Sequence, residues 1–565
     1  MKKIAILCLL ALLPLLPAFH QGPLAYTDSA TRMAESQWFL EGVSEGWISS
    51  WSYDDYAGMP SHLYQYQVGF WILGLLQWLL GLIIGYKVFL VIVYAFVGLS
   101  VYYFLDQVFP KGAFTGAALF ILQTQVLNRI LEGVWAELIG LGFVLLLARS
   151  VLQGKNKLLI PSILFALTIL SHLYAAMAAV VLLCCIAYVY QNTKVLWVIP
   201  VGAGLTVFYW YPFFETSNWL VPYSGSSTFL FKLKQWFYLL GKSGGGILRT
   251  ALVSIPSLIV AGLALVGWRS TRWIKTILLF SGIMLLLSLG LWQFMDNTLV
   301  SSLIPERFLL YVRIGLITLA ASTLARFDWE PTPELLVLVF VLLPVALPAA
   351  WFGTVPTDIM GTWSFVNNAE GRVLLDDTSG QTSGNLMPLA HAYSNFEAIG
   401  GFTHNPRMPI SDVIDFSGNR WFGKENISRQ EFSRLLNLFN IQYVISSRPP
   451  PVGDLVYASG TYRVYTVPFA DSMVEGQAKI ISVSPKSIVV DASGPAVLKY
   501  QYHPYWSTDK GTLTSGELGL MTLQSEGITT LTYTPYNINL LYVSAFFLLG
   551  ILFYSVGRSS KRWDL

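Results

Sequence analysis

Val68-Gly69-Phe70-Trp71-Ile72-Leu73-Gly74-Leu75-Leu76-Gln77-Trp78-Leu79-Leu80-Gly81-Leu82-Ile83-Ile84 is the run on which the reading of the whole chain turns. It is apolar and close to the ~17–25 residues a membrane-crossing helix needs. If it crosses, every later loop changes side. Twelve other segments are candidate spans: 4–20, 87–106, 112–128, 134–151, 158–173, 174–190, 194–212, 247–267, 274–292, 308–325, 333–351 and 538–556. The basic residues arbitrate, because Lys and Arg collect in short cytoplasmic loops. With 68–84 kept out of the count, the inside loops carry Lys2, Lys3, Lys111, Lys155, Lys157, Lys194, Arg269, Arg272, Lys275, Arg326, Arg558, Lys561 and Arg562. With it counted, the cluster Arg269–Lys275 lands outside. The expectation is therefore twelve spans with both termini inside. Run 68–84, broken by glycines and rich in Trp, is expected to be an interfacial or re-entrant helix.

Composition leads to the same class. Of 565 residues, 54% are hydrophobic and 12% charged, against roughly 25% charged in soluble domains. So few charges cannot cover a soluble surface of this size. The net charge of +3 comes with no basic stripe, which argues against nucleic acid as a partner. The three cysteines, Cys8, Cys184 and Cys185, lie in apolar runs, so the loops carry no disulfide framework. That fits the plasma membrane of a bacterium or archaeon. The start, Met1-Lys2-Lys3 before Ile4–Phe19, lacks a good small-residue cleavage site and reads as a first span rather than a signal peptide.

This topology leaves three outer segments. The first loop, 21–86, is long, and the loop 213–246 is aromatic and glycine-rich. Segment 352–537 has the length of a soluble domain. Its latter half alternates in strand fashion at 478–483, 487–490, 497–502 and 529–533, predicting a small β-sandwich. Its first half looks mixed, with a helix near Ser428–Phe439 and a strand at Gln442–Ser446; Pro449-Pro450-Pro451 separates the halves. The fold class expected is a mainly α polytopic membrane protein of about twelve transmembrane helices with an outer α/β plus β-sandwich domain. The divisions are 1–351, 352–537, and 538–565 for the last helix and its basic tail.

The same topology gathers polar residues on the outer face. Asp28, in Tyr26-Thr27-Asp28-Ser29, sits where the chain leaves the bilayer; it is placed to act as a general base toward a hydroxyl or to cap a helix over Ala30–Leu40. Arg32 follows it. Asp54 and Asp55 are a carboxylate pair before a Gly58-Met59-Pro60 turn, able to bind a divalent metal or to sit solvated in the loop; His62 lies just beyond. Glu132 and Glu137 flank the next outer turn. A carboxylate inside the end of a span, as Glu137 is, costs enough to be functional by default, and pairing with Arg129 is the structural alternative. His172 interrupts an apolar stretch in Leu170-Ser171-His172-Leu173. Arg307, in Pro305-Glu306-Arg307-Phe308, offers a bidentate hold on a phosphate or a snorkelling flank. No Walker loop, dinucleotide fingerprint, His-Glu-x-x-His or Cys-x-x-Cys occurs.

Taken together, Thr27-Asp28-Ser29, Gly58-Met59-Pro60, Leu170-Ser171-His172-Leu173, Pro305-Glu306-Arg307-Phe308 and Tyr502-His503-Pro504-Tyr505-Trp506-Ser507 resemble the GT-C superfamily of integral membrane glycosyltransferases. More narrowly, they are similar to the membrane proteins called 6-pyruvoyl-tetrahydropterin-synthase-related. The resemblance implies transfer of a sugar from a polyprenyl-phosphate carrier to a glycan, lipid or protein acceptor on the outer face. It implies Asp28 as base or acceptor-orienting group, with Glu132 or Glu137 as the second acid. Arg307, with His172, would lie at the lipid phosphate, and Arg32, Asp54, Asp55 and His62 nearby; a divalent metal is an open option. Two other readings stand beside it. A transporter or flippase of lipid-linked saccharides would place ionisable groups at mid-membrane, where Arg313 is the main exception to nearly charge-free spans. A non-catalytic envelope scaffold would keep the outer β-domain and tolerate loss of Asp28.

Overall fold

A chain in lipid must satisfy every backbone N–H and C=O within itself, so the apolar runs become helices. A computed structural model describes residues 2–20, 22–24, 28–44, 51–53, 57–60, 66–154, 158–216, 259–266, 271–290, 304–327, 354–376, 389–390, 393–394, 396–399, 421–422, 424, 426–468, 472–535 and 538–557. The first helix, α1 (Lys2–Leu12), tightens into a 3-10 turn, Leu13–Phe19, over Pro14 and Pro17. Then come α2 (Ser29–Ser44), the two-residue strands β1 (Trp51–Ser52) and β2 (Met59–Pro60), and α3 (Gln67–Leu80). The helices α4 (Leu82–Val108), α5 (Pro110–Ile121), α6 (Thr124–Leu131), α7 (Trp135–Gln153), α8 (Leu159–Ser171) and α9 (Leu173–Tyr190) succeed one another with short breaks. After a 3-10 turn come α10 (Val198–Leu205) and α11 (Val207–Glu215), then α12 (Arg272–Ser288) and α13 (Leu309–Phe327).

The run that decided the topology is split. Gly81, at φ 79°, ends α3 and starts α4. The 14 residues of α3 reach about 21 Å at 1.5 Å each, short of the ~30 Å hydrocarbon core. Gly85 packs so closely on the end of α3 that a Cβ would lie 2.6 Å from the Gln77 backbone. Gln77 Nε2 donates to Met33 O at 3.0 Å, tying α3 to α2. The outward edge, with Leu75, Trp78, Leu79 and Leu80 exposed, is apolar.

Five helices among the described residues are long and apolar enough to cross a membrane: 2–19, 82–108, 135–153, 173–190 and 309–326. A sixth is obtained if the bent pair 193–205 and 207–215 is one span. The chain thus has a multi-pass membrane architecture, but the expected twelve spans are not reached there. Expected span 112–128 is instead α5 and α6, broken at Leu122–Gln123, because Gln125, Asn128 and Arg129 put a polar face on the second of the two helices. Expected span 194–212 bends by 74° at Thr206. There the Thr206 hydroxyl donates back to the carbonyls of Gly202 and Ala203, both at 3.2 Å. Expected span 333–351, most of 247–267 and most of loop 213–246 lie outside the described residues.

The C-terminal part carries two sheets. After α14 (Thr357–Phe365), strands β3 (Arg372–Asp376), β4 (Ala398–Ile399), β5 (Ile441–Ser446), β6 (Asp454–Ser459) and β7 (Tyr462–Thr466) assemble in the order β4-β3-β5-β7-β6. Strands β3, β4 and β5 run parallel and the rest antiparallel. Side chains alternate along a strand. Val373 and Leu375 therefore join the core holding Ile359 and Trp363 of α14, while Leu374 joins the one beneath α15 (Arg429–Leu438). The Ser428 hydroxyl caps α15 by accepting from Glu431 N at 3.1 Å.

The second sheet is built from β8 (Val474–Ser484), β9 (Ser487–Gln501), β10 (Trp506–Thr508), β11 (Thr512–Ser515) and β12 (Leu520–Tyr533). Its order is β10-β12-β9-β8, with β11 also on β12. The expected sandwich is here one antiparallel sheet. The runs read as strands 487–490 and 497–502 are mostly one strand, β9, which pairs with β12 from Leu520 to Thr532. Its buried face packs on Trp51 from the first loop instead of on a second sheet. The helix α16 (Ile538–Gly557) ends the described chain.

Candidate functional site

The site starts from two loops locked together. Lys87, at the head of α4, donates from Nζ to Gly22 O at 2.8 Å and to His20 O, fixing where the chain leaves the first helix. Asp28 N donates to Glu132 O at 3.0 Å, and the Ser29 hydroxyl donates to Leu131 O. Gly133 makes this approach possible: its φ is +81°, and a Cβ would sit 2.8 Å from the Asp28 carbonyl carbon. Two acids far apart in sequence, Asp28 and Glu132, are thereby set side by side. Asp28 also occupies the cap position of α2, its carbonyl accepting from Arg32 N at 2.9 Å. Burial pushes the Glu132 carboxyl above its ordinary range; Arg129 and the Asn128 amide pull it down, and the Asp28 and Glu137 carboxylates push it up.

Within charge–charge reach of the acids lies a guanidinium cluster. Glu137, fully buried in the first turn of α7, holds Arg129 Nη1 on one oxygen and has Arg307 Nη1 at 3.0 Å from the other. The Arg307 contact has ion-pair distance without hydrogen-bond alignment, since Glu137 Oε1 makes no hydrogen bond among the described residues. Arg129 and Arg307 keep 24% and 23% of their side chains exposed, so they face both the carboxylate and the open side. The pairing with Arg129 weighed from sequence is present, and Arg307 joins it.

His172 occupies the extended residue between α8 and α9. Its Nε2 lies 3.3 Å from Arg307 Nη1. A guanidinium only donates, so Nε2 accepts and the ring proton sits on Nδ1. That Nδ1 and the Tyr311 hydroxyl are buried without a hydrogen-bond partner among the described residues, two polar atoms facing the same cluster. An aromatic ladder runs through His172: Arg32 over Tyr66 at 5.7 Å, Tyr66 to His172 at 4.6 Å, His172 to Tyr174 at 5.3 Å, and Arg307 over Tyr174 at 5.5 Å. Arg32 itself is held by Glu35 at 2.7 Å and lies 3.9 Å from Asp28.

Of the residues expected from sequence, Asp28, Arg32, Glu132, Glu137, His172 and Arg307 are brought together. Asp54, Asp55 and His62 lie outside the described residues. Among the described residues no group of three or more His, Cys, Asp or Glu could hold a metal ion. Sequence reasoning missed Tyr66, Tyr174, Tyr311 and Glu35. Tyr174 stands two residues from His172 and Tyr311 four from Arg307, but tyrosine is common at span ends and carries no signal alone.

No family model and no curated protein matches the sequence; the narrower likeness to the 6-pyruvoyl-tetrahydropterin-synthase-related family gains no support. Solved structures do resemble it in fold. Arabinofuranosyltransferase AftD from Mycobacteria superposes at TM-score 0.50 with 14% identity, over 85% of this chain and 41% of that one. The chain thus spans about two fifths of the length of that enzyme. An Archaeoglobus fulgidus oligosaccharyltransferase tethered to an acceptor peptide gives 0.44 and 13%, over 79% and 69%. ArnT from Cupriavidus metallidurans bound to undecaprenyl phosphate gives 0.40 and 11%, over 82% and 97%. The likeness is one of fold.

Proposed function

We propose that the chain is a membrane glycosyltransferase that moves a sugar from a polyprenyl-phosphate-linked donor to an acceptor at the outer face of the membrane. One observation carries this reading: Asp28 and Glu132, joined through the backbone, lie within charge–charge reach of two partly open guanidiniums, Arg307 and Arg129, at the ends of apolar helices. Transfer needs both halves. The acceptor hydroxyl must lose a proton as it attacks the anomeric carbon, and the departing lipid phosphate must have its charge stabilised. Asp28 is assigned as the base. Its neighbour Glu132, with a raised affinity for protons, shares the proton. Arg307 and Arg129 receive the phosphate, and His172 donates through Nδ1. Glu137 keeps the guanidiniums aimed in the meantime.

The ordered spans, with both termini inside and the 352–537 segment outside, are part of this proposal. Supporting it, the first loop and the sheet domain are bound to each other, and so lie on one side: Leu24 bridges Thr354 and Val355 N donates to Pro23 O at 3.2 Å. The test compares wild type with Asp28→Asn and Arg307→Ala in nanodiscs. It measures release of free polyprenyl phosphate from a panel of polyprenyl-phosphate sugars, with membrane extract as acceptor. Release by wild type and its loss by ~10²–10⁴-fold in Asp28→Asn, the contribution of a general base, supports the assignment. Equal release by both would remove Asp28 from the chemistry. No release by either across the panel would favour the transporter or scaffold reading.

A further inference from the structure

The two motifs left unused by the proposed chemistry, Gly58-Met59-Pro60 and Tyr502–Ser507, meet in space. Strands β1 and β2 form a small antiparallel hairpin in the first loop, pairing Trp51 with Pro60. Trp51 is 1% exposed. Its ring meets Tyr533 at 5.1 Å, Trp506 at 5.4 Å and His503 at 6.2 Å, all edge-on, inside the C-terminal sheet. Gly58 leaves room for it: a Cβ there would lie 2.4 Å from the Trp51 ring nitrogen, and its φ is +110°. The backbone is bound as well. Trp51 N donates to Pro485 O at 3.0 Å, Gln501 N donates to Ala57 O at 2.8 Å, and the Tyr53 hydroxyl donates to Ser484 O at 2.8 Å.

The segment so held carries the site. Upstream, the bridge from Leu24 to Thr354 lies four residues before Asp28. Downstream, Tyr66, which stacks on His172, lies six residues beyond Pro60. Six residues reach at most about 20 Å, which bounds how far Tyr66 lies from the hairpin. We propose that the C-terminal sheet domain is the clamp that positions Asp28 and Tyr66 at the guanidinium cluster, and that Trp51 is its positioning residue. The clamp goes beyond the proposed chemistry. Only its effect on turnover rests on that reading; its effect on loop order does not. Arg129, Arg307 and Glu137 stand on other elements, so the clamp acts on Asp28 and Tyr66 and leaves those three in place.

The test is amide hydrogen exchange on the full-length protein in nanodiscs, comparing wild type with Trp51→Ala, Trp51→Phe and the milder Tyr53→Phe. The expected result is at least tenfold faster exchange over residues 28–44 in Trp51→Ala, with 135–153 unchanged and with rescue toward wild type in Trp51→Phe. Tyr53→Phe covers the case in which Trp51→Ala unfolds the sheet; it should speed 28–44 measurably while β9 and β12 stay protected. Unchanged exchange over 28–44 in a variant whose hairpin has come loose from β9 overturns the clamp. On a donor that wild type turns over, Trp51→Ala should lower kcat more than tenfold. Binding of undecaprenyl phosphate should stay within threefold, a split that a general loss of folding does not produce. If carrier binding fell as far as kcat, the clamp would not be confined to Asp28 and Tyr66. If wild type turns over no donor, the exchange result still decides the clamp.

Discussion

Glu137 is where the reasoning is most exposed to measurement. It is fully buried, and its two oxygens face Arg129 and Arg307. For the Arg307 contact at 3.0 Å, Coulomb's law at an effective dielectric of ~20 gives about 5.5 kcal/mol of attraction. Desolvation of the carboxylate offsets much of that. Removing one partner of a buried pair costs about 3–5 kcal/mol in soluble proteins, because the other charge is left behind. Here the guanidiniums are about a quarter exposed, so water recovers part of the cost, and about 2–3 kcal/mol is the expected loss for Glu137→Gln. Arg307→Met should cost less, since Arg129 still answers Glu137. The double variant should lose less than the two singles together, by about 1–2 kcal/mol, as expected for contacting residues. The assay is thermal or denaturant unfolding in one detergent, monitored by intrinsic Trp fluorescence. Strict additivity, or a Glu137→Gln change under about 0.5 kcal/mol, would show that Glu137 does not hold the cluster. On the proposed function, in which Asp28 is the base and Glu137 aims the arginines, Glu137→Gln should also retain more activity than Asp28→Asn.

Further outcomes concern packing and pH. Arg372, 1% exposed, donates to Glu397 at 2.9 Å, Lys499 O at 2.6 Å and Phe439 O at 3.3 Å, thereby joining the two sheets. Arg372→Leu strands two buried carbonyls at about 1–3 kcal/mol each and should make the C-terminal part sensitive to limited proteolysis; unchanged digestion would refute the bridging role. Gly112 packs on α13 so tightly that a Cβ would lie 2.1 Å from Ala321 O. Gly112→Ala should therefore destabilise by about 1–3 kcal/mol through overpacking, read as a lowered melting midpoint. His503 is buried, and burial lowers its imidazole to about 3. Its folded value lies below the unfolded ~6.5, so the stability it contributes is complete above ~6.5 and is lost as pH falls toward 3. At 1.36 kcal/mol per unit the loss reaches about 5 kcal/mol at most. His503→Gln should flatten the melting midpoint between pH 6.5 and 4; an unaltered acid slope would place the titration elsewhere.

Much of the fold is written locally. Apolar runs with nothing charged in them must be helices, and the glycine-broken run at 68–84, expected as an interfacial or re-entrant helix, is a short helix to Leu80 ended by Gly81, with Leu82–Ile84 opening α4. The strand read at Gln442–Ser446 runs from Ile441 to Ser446, within one residue of its expected start. The helix read at 428–439 runs from Arg429 to Leu438, since a serine cap and an apolar stripe are short-range signals. Asp28, Glu132 and Arg307 were legible as polar residues at span ends, where their cost demands a use.

What lay beyond the sequence is whatever depends on approach between distant segments. Arg129 at the end of α6 pairs with Glu137 of α7, a contact between two helices that hydropathy does not reveal. The number of layers on the second sheet depended on Trp51, more than four hundred residues upstream, arriving to cover it. That Glu137 stands beside Arg307 as well as Arg129 is visible only in the fold. Hydrophobic period and helix length are fixed within a turn or two of chain, so the sequence alone determined the membrane class and the side chains that need an explanation. Ion pairing and aromatic packing act across space, so tertiary structure alone decided which of those side chains face one another.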